Sequence, residues 1–246
     1  MASTPPTLQH ELALAAAGRH RFIGAADEVG RGSLAGPVSV GYVVIDPAAV
    51  PELPGVRDSK LLTDAVRHEL APAIKDWAAS WGVGHASAAE IDALGLVPAL
   101  RLAGLRAATA AHRVQVADAV LLDGNLDWLS ATVQPTLLDS LMPGFAEPED
   151  IDGLQIPVRT LIKGDLLALS IAAASILAKV ERDDLMDGYD RSYPAYGWIR
   201  NKGYGTAAHR AGIVQHGASE YHRKTWQLTP KSPGENIESG GEGKTP

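Results

Sequence analysis

The chain has 246 residues, 46% of them hydrophobic and 21% charged, proportions of a soluble globular protein long enough to bury a substantial core. It has no cysteine, which excludes disulfides, thiolate metal sites and a cysteine nucleophile. Its net charge of −7 argues against a general nucleic-acid coat, because neutralising phosphates needs clustered Lys and Arg. The charge is unevenly spread: residues 198–224 carry Arg200, Lys202, Arg210, Arg223 and Lys224 against Glu220 alone, whereas 147–152 carry Glu147, Glu149, Asp150 and Asp152 and no base. The basic stretch reads either as a solvated face or as a region turned toward a phosphate backbone. No apolar run reaches the length of a membrane span, and residues 1–12 lack the basic-then-apolar order of a secretory signal. A cytoplasmic monomer with no membrane contact is the expectation.

In chain order, residues 22–26 and 38–45 read as strands, the second almost continuously β-branched or small. Asp58-Ser59-Lys60 falls in a loop before Thr63, an N-cap for a helix running to about residue 81, with Pro72 as a kink or break. Residues 81–87 read as a third strand, 97–113 as an Ala/Leu-rich helix, and 119–122 as a short buried strand ending in Asp123-Gly124. Residues 156–162 suggest another strand, 165–186 one long helix, and 206–215 a further helix. The pattern is that of an α/β domain with a mixed central sheet flanked by helices. Three segments follow: 1–20 partly flexible, 21–228 the α/β domain with a helical C-terminal part, and 229–246 a Gly/Pro/Ser/Glu-rich disordered tail. Residues 125–155, with three prolines and the acidic cluster, read as an insertion between core elements.

The informative acids end apolar segments, where an uncompensated charge is costly. Asp27-Glu28 follow FIGAA, Asp123 follows AVLL, and Asp165 follows TLIKG. Carboxylates converging at one sheet edge suit Mg²⁺ or Mn²⁺. Taken singly, Asp165 also reads as an N-cap and Asp123-Gly124-Asn125 as a turn. Asp27-Glu28 is less easily explained away, because adjacent carboxylates repel without a cation. Their side chains alternate in a strand, so a bend near Val29-Gly30 is expected if both serve one site. Gly30-Arg31-Gly32 lets backbone approach a ligand closely. Gly36 comes one residue late for a dinucleotide fingerprint, and the sequence contains neither a P-loop nor a GxSxG elbow.

Together the segments GAADEVGRGSLAGPV (24–38), DSKLLT (58–63), LLDGN (121–125), KGD (163–165), SIAAASILAKVERD (170–183) and NKGYGTAAH (201–209) resemble the ribonuclease HII family, in the family's order. The resemblance implies a ribonuclease H-like fold with a helical C-terminal extension that helps hold an RNA–DNA hybrid. It assigns an acidic tetrad to Asp27, Glu28, Asp123 and Asp165, working with Mg²⁺ or Mn²⁺ and two ions during catalysis. It implies that Gly30, Arg31 and Gly32 read the ribose 2′-hydroxyl and that Tyr204 packs against the sugar at an RNA-to-DNA junction. Lys60 and Lys202 become candidate phosphate contacts, with surface lysines as the plain alternative for both. The small residues Ser170, Ala173, Ala174 and Ser175 are expected to let the long helix approach the sheet, and Lys179 and Arg182 to pair with Glu181 or Asp183. Two features depart from the family's pattern: the long interval between Asp123 and Asp165, and Asn201 in place of a common histidine. The implied activity is cleavage of the RNA strand of hybrids and incision 5′ of a ribonucleotide embedded in duplex DNA, leaving 5′-phosphate and 3′-hydroxyl ends. Rival readings are a ribonuclease HIII-like nuclease confined to longer hybrids and a non-catalytic hybrid-binding module.

Overall fold

A computed structural model describes residues 5–131 and 153–229; residues 1–4, most of the expected insertion (132–152) and all but the first residue of the expected tail lie outside the described residues. The described chain runs α1 (Gln9–Gly18), β1 (Ile23–Val29), β2 (Val38–Ile45), α2 (Asp64–Trp77), β3 (Ser80–Ala86), α3 (Ala88–Leu94), α4 (Leu96–His112), β4 (Ala119–Asp123) and β5 (Val158–Leu161). It continues through α5 (Gly164–Leu167), α6 (Leu169–Ser192), α7 (Trp198–Asn201) and α8 (Ala207–His216). The strands form one five-stranded sheet in the order β3-β2-β1-β4-β5. β1 pairs antiparallel with β2 and parallel with β4, so the sheet is mixed and β1 is central. Among the described residues no helix is long and apolar enough to cross a membrane.

Strand alternation divides the core. Ile23 and Ala25 of β1, Val43 and Ile45 of β2, and Ala119 and Leu121 of β4 pack with α6, α1 and Ile74 of α2. Ala26, Val40, Tyr42, Val44, Val120 and Leu122 face α4 instead. The α6 side is tightly packed: a Cβ on Gly41 of β2 would lie 2.0 Å from the Ala174 carbonyl oxygen. The expected small-residue face of this helix is therefore a contact surface, with Ala173 and Ala174 fully buried.

Local structure departs from the sequence expectations in several places, each for a visible reason. The strand expected over 22–26 continues through Asp27, Glu28 and Val29, because β2 pairs with all three after β4 has ended its pairing at Ala26–Leu122. Thr63 caps α2 as expected, but Pro72 does not break the helix, which ends at Trp77 where Ala78 turns extended. The helix expected over 165–186 is two helices parted at Ala168 (φ −107°, ψ 123°). Its cause is remote in sequence: the Thr7 amide donates to the Leu167 carbonyl (3.2 Å), and the Leu169 amide donates to the Thr7 carbonyl (3.0 Å). Glu11 then accepts from the Ser170 amide (2.8 Å) and hydroxyl (2.6 Å), capping a helix that has no side-chain cap of its own. The two flanks of the expected insertion belong to the domain: Trp128 and Leu129 are buried in the α4-side core, and Leu154 exchanges backbone hydrogen bonds with Leu129 and Ala131.

Candidate active site

Asp27 and Asp123 each stand one residue beyond the last β1–β4 pair, Ala26–Leu122, and both alternate onto the α6 side of the sheet. Asp27 is 4% exposed. Glu28 alternates to the opposite side, and Arg31 reaches back to it at 3.5 Å. Asp165 arrives through the turn after β5: Lys163 takes the left-handed conformation (φ 58°), and the Gly164 amide donates to Asp123 Oδ1 at 2.6 Å. Lys60 closes the group, its Nζ 3.1 Å from Asp165 Oδ2 and 3.7 Å from Asp58. Its loop is fixed by a Ser59–Ser175 hydroxyl pair (2.9 Å) and by Arg67, which donates to the Ser59 and Leu62 carbonyls.

These carboxylates feel one another. Burial pushes the Asp27 carboxyl well above its ordinary range, and Glu28 and Asp123 push it further, against Ser175 and Lys60. Glu28 is raised by burial and by Asp123, with Arg31 opposing. Asp123 is raised by burial and by Asp165, with the Gly164 and Asp165 amides and Lys60 opposing. Partial burial works to lower the Lys60 pKa, but Asp165, Asp58 and Asp27 outweigh it and raise it. The site thus gathers more negative charge than its own cations relieve. Among the described residues no three Asp, Glu or His side chains already form a metal-holding group. Arg31 engages Glu28 and Lys60 engages Asp165, so two of the four acids turn to cations of the chain itself.

The glycine loop lies beside this group. Gly30 is buried with φ +83°, and a Cβ there would fall 2.1 Å from Arg182 Nε, so the chain's own packing demands glycine. A Cβ on the exposed Gly32 would meet no described atom within 4 Å, so packing does not demand that glycine. Tyr204 is 39% exposed, on a turn whose Gly203 carbonyl accepts from the Leu34 (2.8 Å) and Ala35 (3.2 Å) amides. The loop and the tyrosine are therefore hydrogen-bonded neighbours. The Lys202 ammonium pairs with Asp187, and Asn201 shapes the turn by donating to the Tyr196 carbonyl and accepting from the Gly203 amide.

The basic stretch is not the continuous face its sequence suggests. Arg223 is fully buried, and Arg210 donates to the Gln227 and Leu228 carbonyls. His209 and His222 are buried against each other, Nε2 to Nε2 at 3.1 Å. His209 Nδ1 meets the Tyr204 carbonyl (2.9 Å) and therefore carries a proton, while His222 Nδ1 accepts from the Ser219 amide (2.9 Å). His222 then donates through Nε2 to His209 Nε2, which also accepts from Trp198 Nε1 (3.0 Å), so both rings are neutral. Arg182 has a role the sequence reading missed. It was expected to pair with Glu181 or Asp183, yet it donates to the Pro37, Lys202 and Ala35 carbonyls and the Ser33 hydroxyl, while Lys179 takes Asp183. Its spacing with Ala178 and Met186, four residues to either side on one helical stripe, was the available signal.

A family profile described as Ribonuclease HII matches residues 23–229. The chain belongs to the ribonuclease HII family. A ribonuclease HII of Roseiflexus castenholzii is 39% identical over 250 residues, covering all of both chains. That of Syntrophotalea carbinolica is 42% identical over 208 residues, covering 85% of this chain and 86% of its own. Among solved structures, the ribonuclease H2 of Pyrococcus horikoshii OT3 superposes with TM-score 0.61 at 26% identity, covering 84% of this chain and 94% of that one. Bst-RNase HIII, described in complex with Mn²⁺, gives TM-score 0.62 at 20% identity, covering 88% and 71%; at that identity it shows the shared fold. The ribonuclease H-like fold expected from sequence is the one observed, with α7 and α8 as the C-terminal helical part. Membership of ribonuclease HII makes the chain a ribonuclease H endonuclease and sets aside the ribonuclease HIII-like and non-catalytic readings.

Proposed function

We propose that this ribonuclease HII hydrolyses the RNA strand of RNA–DNA hybrids and incises 5′ of single ribonucleotides embedded in duplex DNA, with Asp27, Glu28, Asp123 and Asp165 as its catalytic carboxylates. The observation that carries the reading is Asp27: a carboxylate 4% exposed, beside Glu28 and Asp123, at the end of the central strand. An all-oxygen donor set crowded in this way fits hard divalent cations, and the four acids would hold two ions, Mg²⁺ or Mn²⁺. Such ions supply Lewis acidity to the scissile phosphate and to the attacking water. Water adds to phosphorus as the bond to the 3′-oxygen breaks, leaving a 5′-phosphate and a 3′-hydroxyl.

The remaining work falls to the chain. Gly30, Arg31 and Gly32 present backbone to the ribose, whose 2′-hydroxyl is what distinguishes RNA from DNA. Tyr204 packs against the sugar on the DNA side of a junction. Lys60 and Lys202 are the phosphate contacts, each exchanging a carboxylate of the chain, Asp165 or Asp187, for a phosphate oxygen. Cleavage of a duplex with one ribonucleotide and of a long hybrid, with Mg²⁺ and with Mn²⁺, tests the reading. The parent is expected to cut both, and Asp27→Asn to bind hybrid without cutting it. Failure of the parent on the single-ribonucleotide duplex with either ion would overturn the junction specificity.

A further inference from the structure

Arg182 and Arg223 are fully buried, and their guanidinium groups reach the glycine loop from α6 and from the segment after α8. Arg182, on α6, donates through Nε to the Pro37 carbonyl (2.9 Å), through Nη2 to the Ser33 hydroxyl (2.9 Å) and Ala35 carbonyl (3.3 Å), and through Nη1 to the Lys202 carbonyl (2.9 Å). Its Cζ also lies 5.7 Å from the centre of the Tyr204 ring. Arg223 holds the loop's other flank, donating to the carbonyls of Gly30 (2.6 Å), Arg31 (2.8 Å) and Gly36 (3.3 and 3.2 Å). Of the two arginines Arg182 is the one that bonds to both the loop and the Tyr204 turn, adding a side-chain tie to the backbone bonds from the Leu34 and Ala35 amides to the Gly203 carbonyl. One edge of its fork holds the loop after Gly32, and another holds the residue two before Tyr204.

We propose that Arg182 is a positioning residue for substrate selectivity: it fixes the offset between the glycine loop and Tyr204, so that the two read one ribose and its neighbouring sugar as a single step. The inference rests on the assignment of those two elements to sugar recognition. A planar guanidinium with five donors meets four acceptors on two segments at once, residues 33–37 and Lys202, which a lysine ammonium on a flexible stem does not. A buried arginine that only filled the core would be replaceable by another folded core without altering which substrate is chosen. The consequence differs by substrate. A long hybrid offers a 2′-hydroxyl at every position of its RNA strand, so a displaced loop still finds one. A single embedded ribonucleotide offers one register, and a misplacement of about 1 Å is enough to cost on the order of 10²-fold.

The test measures kcat and KM on the two substrates for the full chain and for Arg182→Lys, Ser33→Ala and Tyr204→Ala, with amide hydrogen exchange on each protein. Arg182→Lys is expected to lose about 10- to 100-fold in kcat/KM on the single-ribonucleotide duplex, largely through KM, and no more than about 3-fold on the hybrid. Ser33→Ala, which removes one hydroxyl acceptor, is expected to shift the same ratio by a smaller factor, and it carries the test if Arg182→Lys does not fold. Exchange at residues 33–36 and at 203–204 is expected to quicken together in both variants. A preference equal to the parent's in both, or equal losses on both substrates with exchange unchanged, overturns the proposal. If Tyr204→Ala alters the preference while Arg182→Lys and Ser33→Ala do not, the inference fails alone. If Tyr204→Ala leaves the preference unaltered, the assignment of Tyr204 falls and takes the inference with it.

Discussion

The carboxylate group and the glycine loop lie side by side, and they treat buried charge in opposite ways. Around Asp27 the acids outweigh the available cations, and the strain of burial shows in carboxyls raised above their ordinary range. Around Arg182 and Arg223 every hydrogen bond of the two buried guanidinium groups goes to a carbonyl or a hydroxyl of the loop and its neighbouring turn. One region is left short of cations; in the other burial lowers the pKa of both arginines, that of Arg223 to about 9, yet their hydrogen bonds are met from within. The incomplete region is where an outside cation and a phosphate would complete the structure. The satisfied region is one that must hold its shape before any substrate arrives.

Asp27→Asn is the sharpest way to break this contrast. It is expected to reduce cleavage of either substrate by at least about 10³-fold. Because folding raises the Asp27 pKa, the ionised carboxylate costs stability at pH above its folded value, and that cost is absent below the unfolded value near 4. Without divalent ions, the variant should therefore melt about 3 °C higher than the parent at pH 7, the advantage fading toward pH 4. Added Mg²⁺ should raise the melting point of the parent more than that of the variant, as differential scanning calorimetry would report. A variant that melts lower than the parent without metal would show that the site is not electrostatically incomplete.

Tyr204→Ala comes next, with an expected loss of about 10- to 100-fold in single-ribonucleotide incision and little change in metal-induced stabilisation. The acid response of the satisfied region is a smaller effect. Burial lowers the His222 pKa to about 4, helped by His209 and Lys224, and burial also lowers His209. Protonating either ring sets a new N–H against an existing donor. The folded pKa lies below the unfolded value near 6.5, so this stability is complete above 6.5 and is lost as pH falls from 6.5 toward 4. Melting should drop by roughly 5 °C between pH 7 and 5, and His222→Gln should flatten that slope. An unchanged slope in His222→Gln would mean that other groups govern the acid response.

The carboxylates were legible in the sequence because each ends an apolar run, and the strand alternation that sends Glu28 away from Asp27 was legible for the same reason. β1 carries both acids past its last pair with β4, and the chain turns at Gly30 (φ +83°), where a bend was expected. The break before α6 was not legible, because its causes, Thr7 and Glu11, stand some 160 positions earlier and appear in no local pattern. With that break Asp165 opens a separate four-residue helix beside Asp123 instead of the long helix itself. Arg223 was misread for a related reason: a basic residue among basic residues looks like surface, and only the loop it enters reveals it as interior.

Arg223 reaches back 193 positions to the Gly30 carbonyl. During synthesis the central strand and its two acids emerge early, yet the loop beside them stays unlatched until Arg223 has cleared the ribosome. A nascent chain therefore carries its acids long before the glycine loop beside them is held in its final shape.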